Sequence, residues 1–377
     1  MTKGTKNPIV KAKNPIVKRR VLIGGNERVT YRNGDKYVGE MSGNKKDGYG
    51  KMLYHNGAKY LGYFRNDVGH GQGKFWNEAG KLQYEGALRN NKADGQGTYY
   101  HNNGTRYEGE FKNNDFNGKG TIFDQNGKII YKGKFQHNKA NGQGTYYHDN
   151  GNRYEGEFKN NEFNGKGTIF DQNGKIMYKG DFKDDEANGF GTVYLNTGNI
   201  YEGECINDVR QGKGKIIDKD GNIIYDGDFQ NNKKHGTGTL SLENGYTYEG
   251  EFRNDEFNGK GTIFDQNGKI IYEGEFKDDK AHGKGTHYFN DGSIYTGDNN
   301  KGKIQGQGTL LLPNGNRYVG EWKNDKQSGP GKWFLHNGKV MDCMYSNGVL
   351  LSHVQNQNNL GLNQANNNQQ NQIGGGQ

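Results

Sequence analysis

One pattern of hydrophobic and polar positions repeats thirteen times along the chain. Each copy reads tyrosine, any residue, glycine, an acidic or polar residue and then, in most copies, an apolar one. A fixed period of 23 or 24 residues is typical of a repeat array, in which each unit buries its apolar surface against its neighbours. The copies start at Tyr37, Tyr60, Tyr84, Tyr107, Tyr131, Tyr154, Tyr178, Tyr201, Tyr225, Tyr248, Tyr272, Tyr295 and Tyr318.

The first five residues of a copy alternate with a period of two, which predicts a β-strand. In the fourth copy Tyr107, Gly109 and Phe111 share one face of this strand. Glu108 and Glu110 share the other face, which we expect to face water.

The rest of each copy predicts a second strand and two turns. In the fourth copy a polar segment, 112–117, is a turn, 118–123 is the second strand, and 124–127 ends in Asn-Gly, which suits positive φ. Each unit is therefore a β-hairpin and the fold is all-β. Twenty-six strands at ~4.8 Å each make an antiparallel ribbon on the order of 100 Å long before twist.

Four glycines occupy fixed positions, +2, +11, +13 and +20 counted from the starting tyrosine, in all thirteen copies. Glycine weakens a strand unless backbone or a ring must approach closely. We therefore expect the glycines at +2, +11 and +13 to form a lane on which aromatic rings lie flat. The glycine at +20 is expected to serve the connecting turn.

Three further positions are mainly apolar. Position +4 is usually Phe, with Cys205 and Asn299 among the departures, and +15 and +16 each have one exception, His287 and Ser241. Two adjacent apolar positions on one strand imply that both faces of the second strand meet something. One face can pack on neighbouring hairpins, and the other must line a surface or a groove.

The sequence predicts three regions. Residues 1–27 are a basic flexible arm, 28–350 are the array with degenerate end caps, and 351–377 are a disordered Asn/Gln-rich tail. At the start, Arg28–Tyr31 resembles a second strand without its first. At the end, Met341, Cys343 and Tyr345 occupy the places of Tyr, Gly and Phe, so both ends are expected to protect sheet edges.

The net charge of +8 is concentrated in the arm. Seven of the 51 basic residues lie in 1–26, which leaves 44 basic and 43 acidic residues in the remainder. The array therefore lacks the basic field that dominates nucleic-acid binding, and no nucleic acid is expected as a partner. No apolar run approaches the ~20 residues of a membrane span, and a cytoplasmic protein is expected.

No motif predicts catalysis, a metal site or a cofactor. Gly-Lys-Gly-Thr at 118–121 lacks the spacing of a phosphate loop, and Asp-Gln-Asn-Gly-Lys at 124–128 lacks the ligands of a calcium loop. The ten histidines are scattered, and Cys205 and Cys343 stand at core positions. A catalytic site needs one asymmetric set of groups, whereas the fourth, sixth and tenth copies are nearly identical. We therefore expect a non-enzymatic protein.

The arm contains a duplicated motif, Lys-Asn-Pro-Ile-Val-Lys. Its basic residues are candidates for docking on an anionic membrane or on an acidic tubulin surface. The alternatives are a solvated tail that aids solubility and a nuclear import signal. The candidate docking residues are Lys6, Lys11, Lys13, Lys18, Arg19 and Arg20.

Tyr-x-Gly-Glu-Phe followed by Gly-x-Gly resembles the MORN repeat (membrane occupation and recognition nexus). Tyr154–Phe158 with Gly165-Lys-Gly167 is a close match, and the resemblance covers 28–350. It implies an elongated, twisted, single-layer antiparallel sheet of about 13 stacked hairpins with an aromatic groove. It also implies scaffolding or tethering, as in ciliary radial-spoke heads, cytoskeletal scaffolds and junctional membrane tethers.

The resemblance favours a scaffold in a ciliary, axonemal or cortical cytoskeletal assembly, whose groove takes helical or extended segments of other proteins. The alternatives are a phosphoinositide-binding membrane tether and a regulatory subunit of an enzyme on another chain, and a homodimer through the terminal repeats is open. An exposed aromatic strip is typical of an interaction site. The expected groove residues are Tyr107, Phe111, Tyr131, Phe135, Tyr154, Phe158, Tyr178, Phe182, Tyr225, Phe229, Tyr248, Phe252, Tyr272 and Phe276.

Overall fold

The computed structural model describes residues 17–23 and 26–353. The chain divides into two units, 1–222 and 223–377. The described part of each unit consists of β-strands joined by turns, which confirms the all-β fold expected from the repeat pattern. Within it, no helix has the length and apolar character needed to cross a membrane.

In the first unit each strand pairs antiparallel with the next strand along the chain. Its strands are β1 Val17–Ile23, β2 Asn26–Tyr31, β3 Lys36–Ser42, β4 Lys45–Leu53, β5 Lys59–Arg65, β6 Val68–Trp76, β7 Leu82–Arg89, β8 Lys92–Tyr100, β9 Arg106–Lys112, β10 Asp115–Phe123, β11 Ile129–Gln136, β12 Lys139–Tyr147, β13 Arg153–Lys159, β14 Glu162–Phe170, β15 Ile176–Lys183, β16 Glu186–Tyr194, β17 Ile200–Ile206 and β18 Val209–Ile217.

The second unit follows the same rule of pairing between consecutive strands. Its strands are β19 Ile223–Gln230, β20 Lys233–Ser241, β21 Thr247–Arg253, β22 Glu256–Phe264, β23 Ile270–Lys277, β24 Lys280–Tyr288, β25 Ile294–Asn300, β26 Lys303–Leu311, β27 Arg317–Lys323, β28 Lys326–Phe334, β29 Val340–Ser346 and β30 Val349–His353.

The two turns of each copy have different chemistry. In the fourth copy the hairpin turns through Asn113 and Asn114, whose φ angles of 52° and 77° are both positive. Two central residues of positive φ define the turn that suits the right-handed twist of a hairpin, and asparagine tolerates this conformation. The connecting turn uses Asp124, whose carboxylate accepts the backbone N–H groups of Asn126 and Lys128, and Gly127 at φ 85°.

The alternation between 23 and 24 residues has a structural cause. Where two starting tyrosines are 24 residues apart, the second strand of one copy meets the first strand of the next with a β-bulge, as between β10 and β11 beside Phe123. Where they are 23 residues apart, as between β12 and β13, the register runs without a shift. A bulge takes up one extra residue in one strand, so every second connection carries the surplus residue up to the twelfth copy, and the connection from the twelfth to the thirteenth copy is regular like the one before it.

Neighbouring copies are also joined at their hairpin turns. The Asn161 side chain accepts the backbone N–H of Ala140 in the preceding copy at 2.7 Å, and the Asn161 N–H donates to the Ala140 carbonyl at 3.0 Å. Asn138 does the same with Phe116, and Asp325 with Ile304. The residue at +7 is therefore a clamp between consecutive hairpins.

The N-terminal boundary of the array differs from the prediction. Strand β1 begins at Val17 and pairs with β2, so Arg28–Tyr31 belongs to a complete hairpin. The predicted flexible arm, 1–27, is therefore wrong over 17–23, where backbone pairing outweighs the basic composition. Residues 1–16 lie outside the described part of the chain.

At the other end, β29 carries Met341, Cys343 and Tyr345 beside the last full repeat, as predicted. Tyr345 is buried and its ring lies edge-on to Tyr318 at 5.5 Å, the contact that Phe at +4 makes elsewhere. Strand β30 then extends the sheet to His353, two residues past the predicted start of the tail; 354–377 lie outside the described residues.

Candidate protein-binding groove

The tyrosine face of each sheet, which carries the starting tyrosines and the +4 aromatics, is the core of the fold. All fourteen residues expected to form an exposed strip are buried, with at most 6% of any of them accessible. The expectation of exposure is therefore wrong, because the pattern assigned these rings to one face but could not show that this face is covered. Partner binding at these fourteen positions stays a prediction.

The burial of the tyrosine starts from two glycines. A Cβ added to Gly120 would lie within 2.5 Å of the Tyr107 ring, and one added to Gly109 would lie 2.6 Å from its hydroxyl. The ring therefore lies flat on the glycines at +2 and +13, as predicted. Its hydroxyl donates to the Glu110 carbonyl at 2.8 Å, and burial raises the tyrosine's pKa.

The phenylalanine at +4 joins consecutive copies. Phe135 lies edge-on between Tyr107 and Tyr131, with ring centroids 5.0 Å from each. Phe158 does the same between Tyr131 and Tyr154. Such contacts form an unbroken aromatic chain from Tyr84 to Tyr178. Each edge-to-face pair is worth about 0.5–1.5 kcal/mol beyond the area it buries.

In the fourth, sixth and tenth copies, a phenylalanine of the same hairpin covers the starting tyrosine. Phe116, at +9, stacks on Tyr107 with the ring centroids 3.8 Å apart and the planes 8° from parallel. The strand reaches this position by bending at Gly118, at φ 74°, next to a register shift in the β9–β10 pair. The glycine at +11 therefore bends the strand and does not belong to the lane beneath the ring, which corrects the prediction for that position.

The opposite face of the first unit is an open groove. From one strand to the next, the central row of this face alternates residues at +1 with residues at +14. An example is the series Glu108, Thr121, Lys132, Thr145 and Glu155. A second row alternates +3 and +12, as in Lys119 opposite Lys134. We call this surface, which extends from Tyr49 to Tyr194, the threonine groove.

Backbone of the glycines at +2 and +13 forms part of the floor of the threonine groove, and a side chain at these positions would point to the tyrosine face instead. Three aromatic side chains of the groove are strongly exposed. Tyr49 and Tyr63 are 45% and 50% accessible and meet edge-on at 5.3 Å, and Phe190, near the other end, is 60% accessible. None of the three was among the groove residues expected from the sequence, because they stand at positions that are polar in most copies.

One face of the second strand was expected to line a surface or a groove, and Tyr147 and Tyr194, both at +16, line the threonine groove. Cationic side chains one residue before the starting tyrosine cover several of the +16 rings. The Arg106 guanidinium lies 3.9 Å from the centroid of Phe123, and Arg153 lies at the same distance from Phe170. Such contacts hold the rings in place at the groove margin.

Five of the ten charged side chains that line the threonine groove form ion pairs. Lys74 contacts Glu85 at 2.7 Å and Lys166 contacts Asp181 at 2.6 Å. Arg106 contacts Glu108 at 2.6 Å. The hydroxyl of Tyr100 also donates to Glu85, and these contacts lower the pKa of that carboxyl group. The other five, Glu110, Lys119, Lys132, Lys134 and Lys179, take part in none of the ion pairs of the described chain, and three of them, Lys119, Lys132 and Lys134, lie together on β10 and β11.

The candidate docking residues of the arm fall into two groups. Lys6, Lys11 and Lys13 lie outside the described residues, and Lys18 and Arg19 belong to β1. Arg20 is used within the fold: its guanidinium pairs with Glu27 and donates to the Asn44 side chain at 2.9 Å and to the Gly43 carbonyl at 2.7 Å. Docking on an anionic surface stays a prediction, and Arg20 is its weakest candidate.

The cysteines and one histidine are core groups. Cys205 and Cys343 are buried, and burial raises the pKa of both thiols. The His287 ring, whose pKa is lowered by burial, lies 2.7 Å from the side-chain oxygen of Asn299. Over residues 17–23 and 26–353, no group of three or more His, Cys, Asp or Glu side chains is arranged to hold a metal ion.

Solved structures similar to this chain share little of its sequence. The TCP domain of SAS-4 (dCPAP) of Drosophila melanogaster, in complex with a proline-rich motif of Ana2 (dSTIL), is 14% identical with a TM-score of 0.24, over 52% of this chain and 97% of that chain. A streptogramin B lyase is 12% identical with a TM-score of 0.14, over 68% and 84%. Neither likeness bears on function. A search of the curated proteins found no match.

The family comparison is specific. The model described as MORN repeat matches thirteen consecutive segments, from 37–59 to 318–340. MORN repeats form non-catalytic scaffolds that commonly bind proteins or membranes. The matches cover well over half of the chain, which therefore belongs to the MORN-repeat family.

Proposed function

We propose that the protein is a non-enzymatic structural scaffold and that its threonine groove binds a segment of a protein partner. The observation that carries this proposal is the exposure of Tyr49, Tyr63 and Phe190 in a groove whose opposite face is closed. Exposed aromatic side chains are enriched at protein interfaces. None of these three rings is part of the buried core, so we attribute their exposure to contact with a partner.

The groove favours a long, narrow partner. From β4 to β16 it crosses thirteen strands, which at ~4.8 Å each is on the order of 60 Å before twist. A helix or an extended segment has this long, narrow shape. The near identity of 106–123 and 153–170, which differ only at Asp115 and Glu162, supports an extended surface and not a catalytic pocket.

We place this scaffold in the cytoplasm, in a ciliary, axonemal or cortical cytoskeletal assembly, as the family resemblance implies. The test is fractionation of cells that express the tagged full chain, extracted with a nonionic detergent. The wild-type protein is expected in the insoluble cytoskeletal fraction. The triple variant Tyr49→Ser, Tyr63→Ser, Phe190→Ser is expected in the soluble fraction, because it removes the exposed rings of the groove.

The control variant carries Ile206→Ser, Ile223→Ser and Val340→Ser, which replace exposed apolar side chains outside the groove lining. It should fractionate as the wild type does. A wild-type protein that detergent releases from membranes would count against the scaffold and support the alternative of a membrane tether. Retention of the groove variant would show that the assembly contacts another surface.

A further inference from the structure

We propose that Lys119, Lys132 and Lys134 form a recognition site in the threonine groove for an acidic segment of the partner protein. This inference deepens the proposed function, on which it rests, by assigning a chemistry to the segment that the groove binds. The three side chains are exposed, and two of them lie on the same strand two residues apart.

The three lysines form one cluster by their register. Lys119 on β10 lies directly opposite Lys134 on β11, and Lys132 lies opposite Thr121 on β10 and Thr145 on β12. Side chains directly opposite each other have Cβ atoms ~4.5–5.5 Å apart. Neither strand beside β11 places a carboxylate opposite Lys132 or Lys134, and none of the ion pairs in the described structure involves the cluster.

The cluster lowers the local stability of the sheet. In six other copies an acidic side chain at +3 accepts the backbone N–H at +12, as Glu110 does from Lys119 at 2.9 Å and Asp298 from Gln307 at 2.9 Å. Lys134 occupies this position in the fifth copy and cannot accept a hydrogen bond. Like charges directly opposite each other also destabilise a sheet.

The copies on either side of the cluster show which residues the fold accommodates at these positions. The fourth and sixth copies, on either side, both read Tyr-Glu-Gly-Glu-Phe, whereas the fifth reads Tyr131-Lys-Gly-Lys-Phe135. The fifth copy thus has two bases where the copies on both sides have two acids, and the seventh copy has one base, Lys179, at the first of these positions. Function is expected where a residue departs from the local pattern and no contact within the fold compensates for the change.

Charge complementarity selects an acidic protein segment as the occupant. One short acidic stretch of a segment that lies along the groove can contact all three lysines, because they stand on two neighbouring strands ~4.8 Å apart. A membrane is a poorer fit, because Glu110 and Glu157 lie on the same face in the adjacent copies and a flat anionic surface would meet both of them as well. A segment can place its acidic stretch over β10 and β11 and neutral residues beside these two carboxylates.

The test measures binding of a fluorescein-labelled (Thr-Glu)4 peptide to the full chain by anisotropy, with (Thr-Gln)4 as the neutral probe. The variant Lys132→Glu, Lys134→Glu gives the fifth copy the sequence of its neighbours, so it is expected to fold and to melt no lower than the wild type. Binding of the acidic peptide should fall at least about tenfold in this variant, since each lost charge contact becomes a repulsion.

A second variant, Lys119→Gln, Lys132→Gln, Lys134→Gln, is compared with Lys159→Gln, Lys183→Gln, Lys277→Gln, which removes the same charge from exposed positions outside the groove lining. Only the first set should weaken binding. Equal losses in both sets, or undiminished binding to the Lys132→Glu, Lys134→Glu variant, would overturn the proposal.

Vesicles containing phosphatidylserine are the competing probe. Lysine-dependent binding to these vesicles without binding to the acidic peptide would also overturn the proposal. The fractionation experiment depends on Tyr49, Tyr63 and Phe190, none of which belongs to the lysine cluster. The scaffold function and the acidic-segment proposal can therefore fail independently.

Discussion

At the scale of single residues, the tyrosine and its glycines are interdependent. Tyr154 is fully buried, its hydroxyl donates to the Glu157 carbonyl at 2.9 Å, and its ring occupies the space where a side chain at Gly167 would stand. The ring covers the two glycines with apolar surface, because glycine has no side chain of its own. Glycine is required at +13 by close approach and at +20 by its positive φ, which are different constraints on one residue type.

This difference predicts unequal effects of two alanine substitutions in the sixth copy. A Cβ at Gly167 would lie 2.3 Å from the Tyr154 ring, so Gly167→Ala should displace the ring and lower the free energy of unfolding by about 2–3 kcal/mol. Gly174→Ala has only an Arg153 nitrogen at 3.8 Å and should cost about 1 kcal/mol through backbone strain. Urea unfolding followed by circular dichroism measures both, and equal losses would contradict the account of the ring.

The sequence predicted the residue-scale pattern well, except where residues act as pairs. His287 and Asn299 each depart from an apolar position, and the structure places them 2.7 Å apart, so each is the polar partner of the other. Phe116 was assigned to a turn, yet it stacks on Tyr107. Period-two alternation carries no information about either contact, because both depend on register between strands.

At the scale of the hairpin, the clamp at +7 joins one copy to the preceding one. Asn161 has φ 81°, so one residue both turns the chain and accepts the Ala140 N–H. Asparagine and aspartate suit both tasks, because they tolerate positive φ and have a short acceptor. The sequence indicated the turn, but the acceptor role requires knowledge of which copies are adjacent.

The clamp predicts a local change in amide exchange. Asn161→Gly keeps the positive φ and removes the acceptor, so exchange of the Ala140 amide should accelerate by about tenfold or more, the effect of an unsatisfied buried donor. Asn161→Asp should retain the bond. Asn160→Gly is the matched control, because Asn160 also has positive φ but the Ala140 N–H donates to the side chain of Asn161 instead. Hydrogen exchange read by mass spectrometry or NMR resolves the three, and faster exchange in the control would refute the clamp.

At the scale of the whole molecule, all observed pairing is between consecutive strands within each unit. Stability in such an array is close to a sum of repeat terms and nearest-neighbour terms. A defect should therefore remain near its origin. The sequence supported this view through its period. It did not show which sheet face was covered, because strand bending at Gly118 decides that point.

Locality predicts the reach of Gly167→Ala in the first unit. Amides of β13, β14 and β15 should lose protection from hydrogen exchange, and those of β3, β4 and β5, about ten strands away, should keep it because no pairing connects the two regions directly. The comparison uses the same full-length sample, so each variant contains its own reference. A uniform loss of protection over 26–222 would show a single cooperative unit and contradict the additive view.

The alternating β-bulge described for the connections has a consequence for the history of the gene. Bulged and regular connections alternate from the first copy to the twelfth, so over this range the smallest segment that can be repeated without changing the alternation is a pair of copies, 47 residues long, as from Tyr107 to Tyr154 and from Tyr154 to Tyr201. Unequal recombination between near-identical copies would preserve the alternation only when it adds or removes such pairs. Relatives with longer or shorter arrays should therefore differ in length by multiples of the pair more often than by single copies.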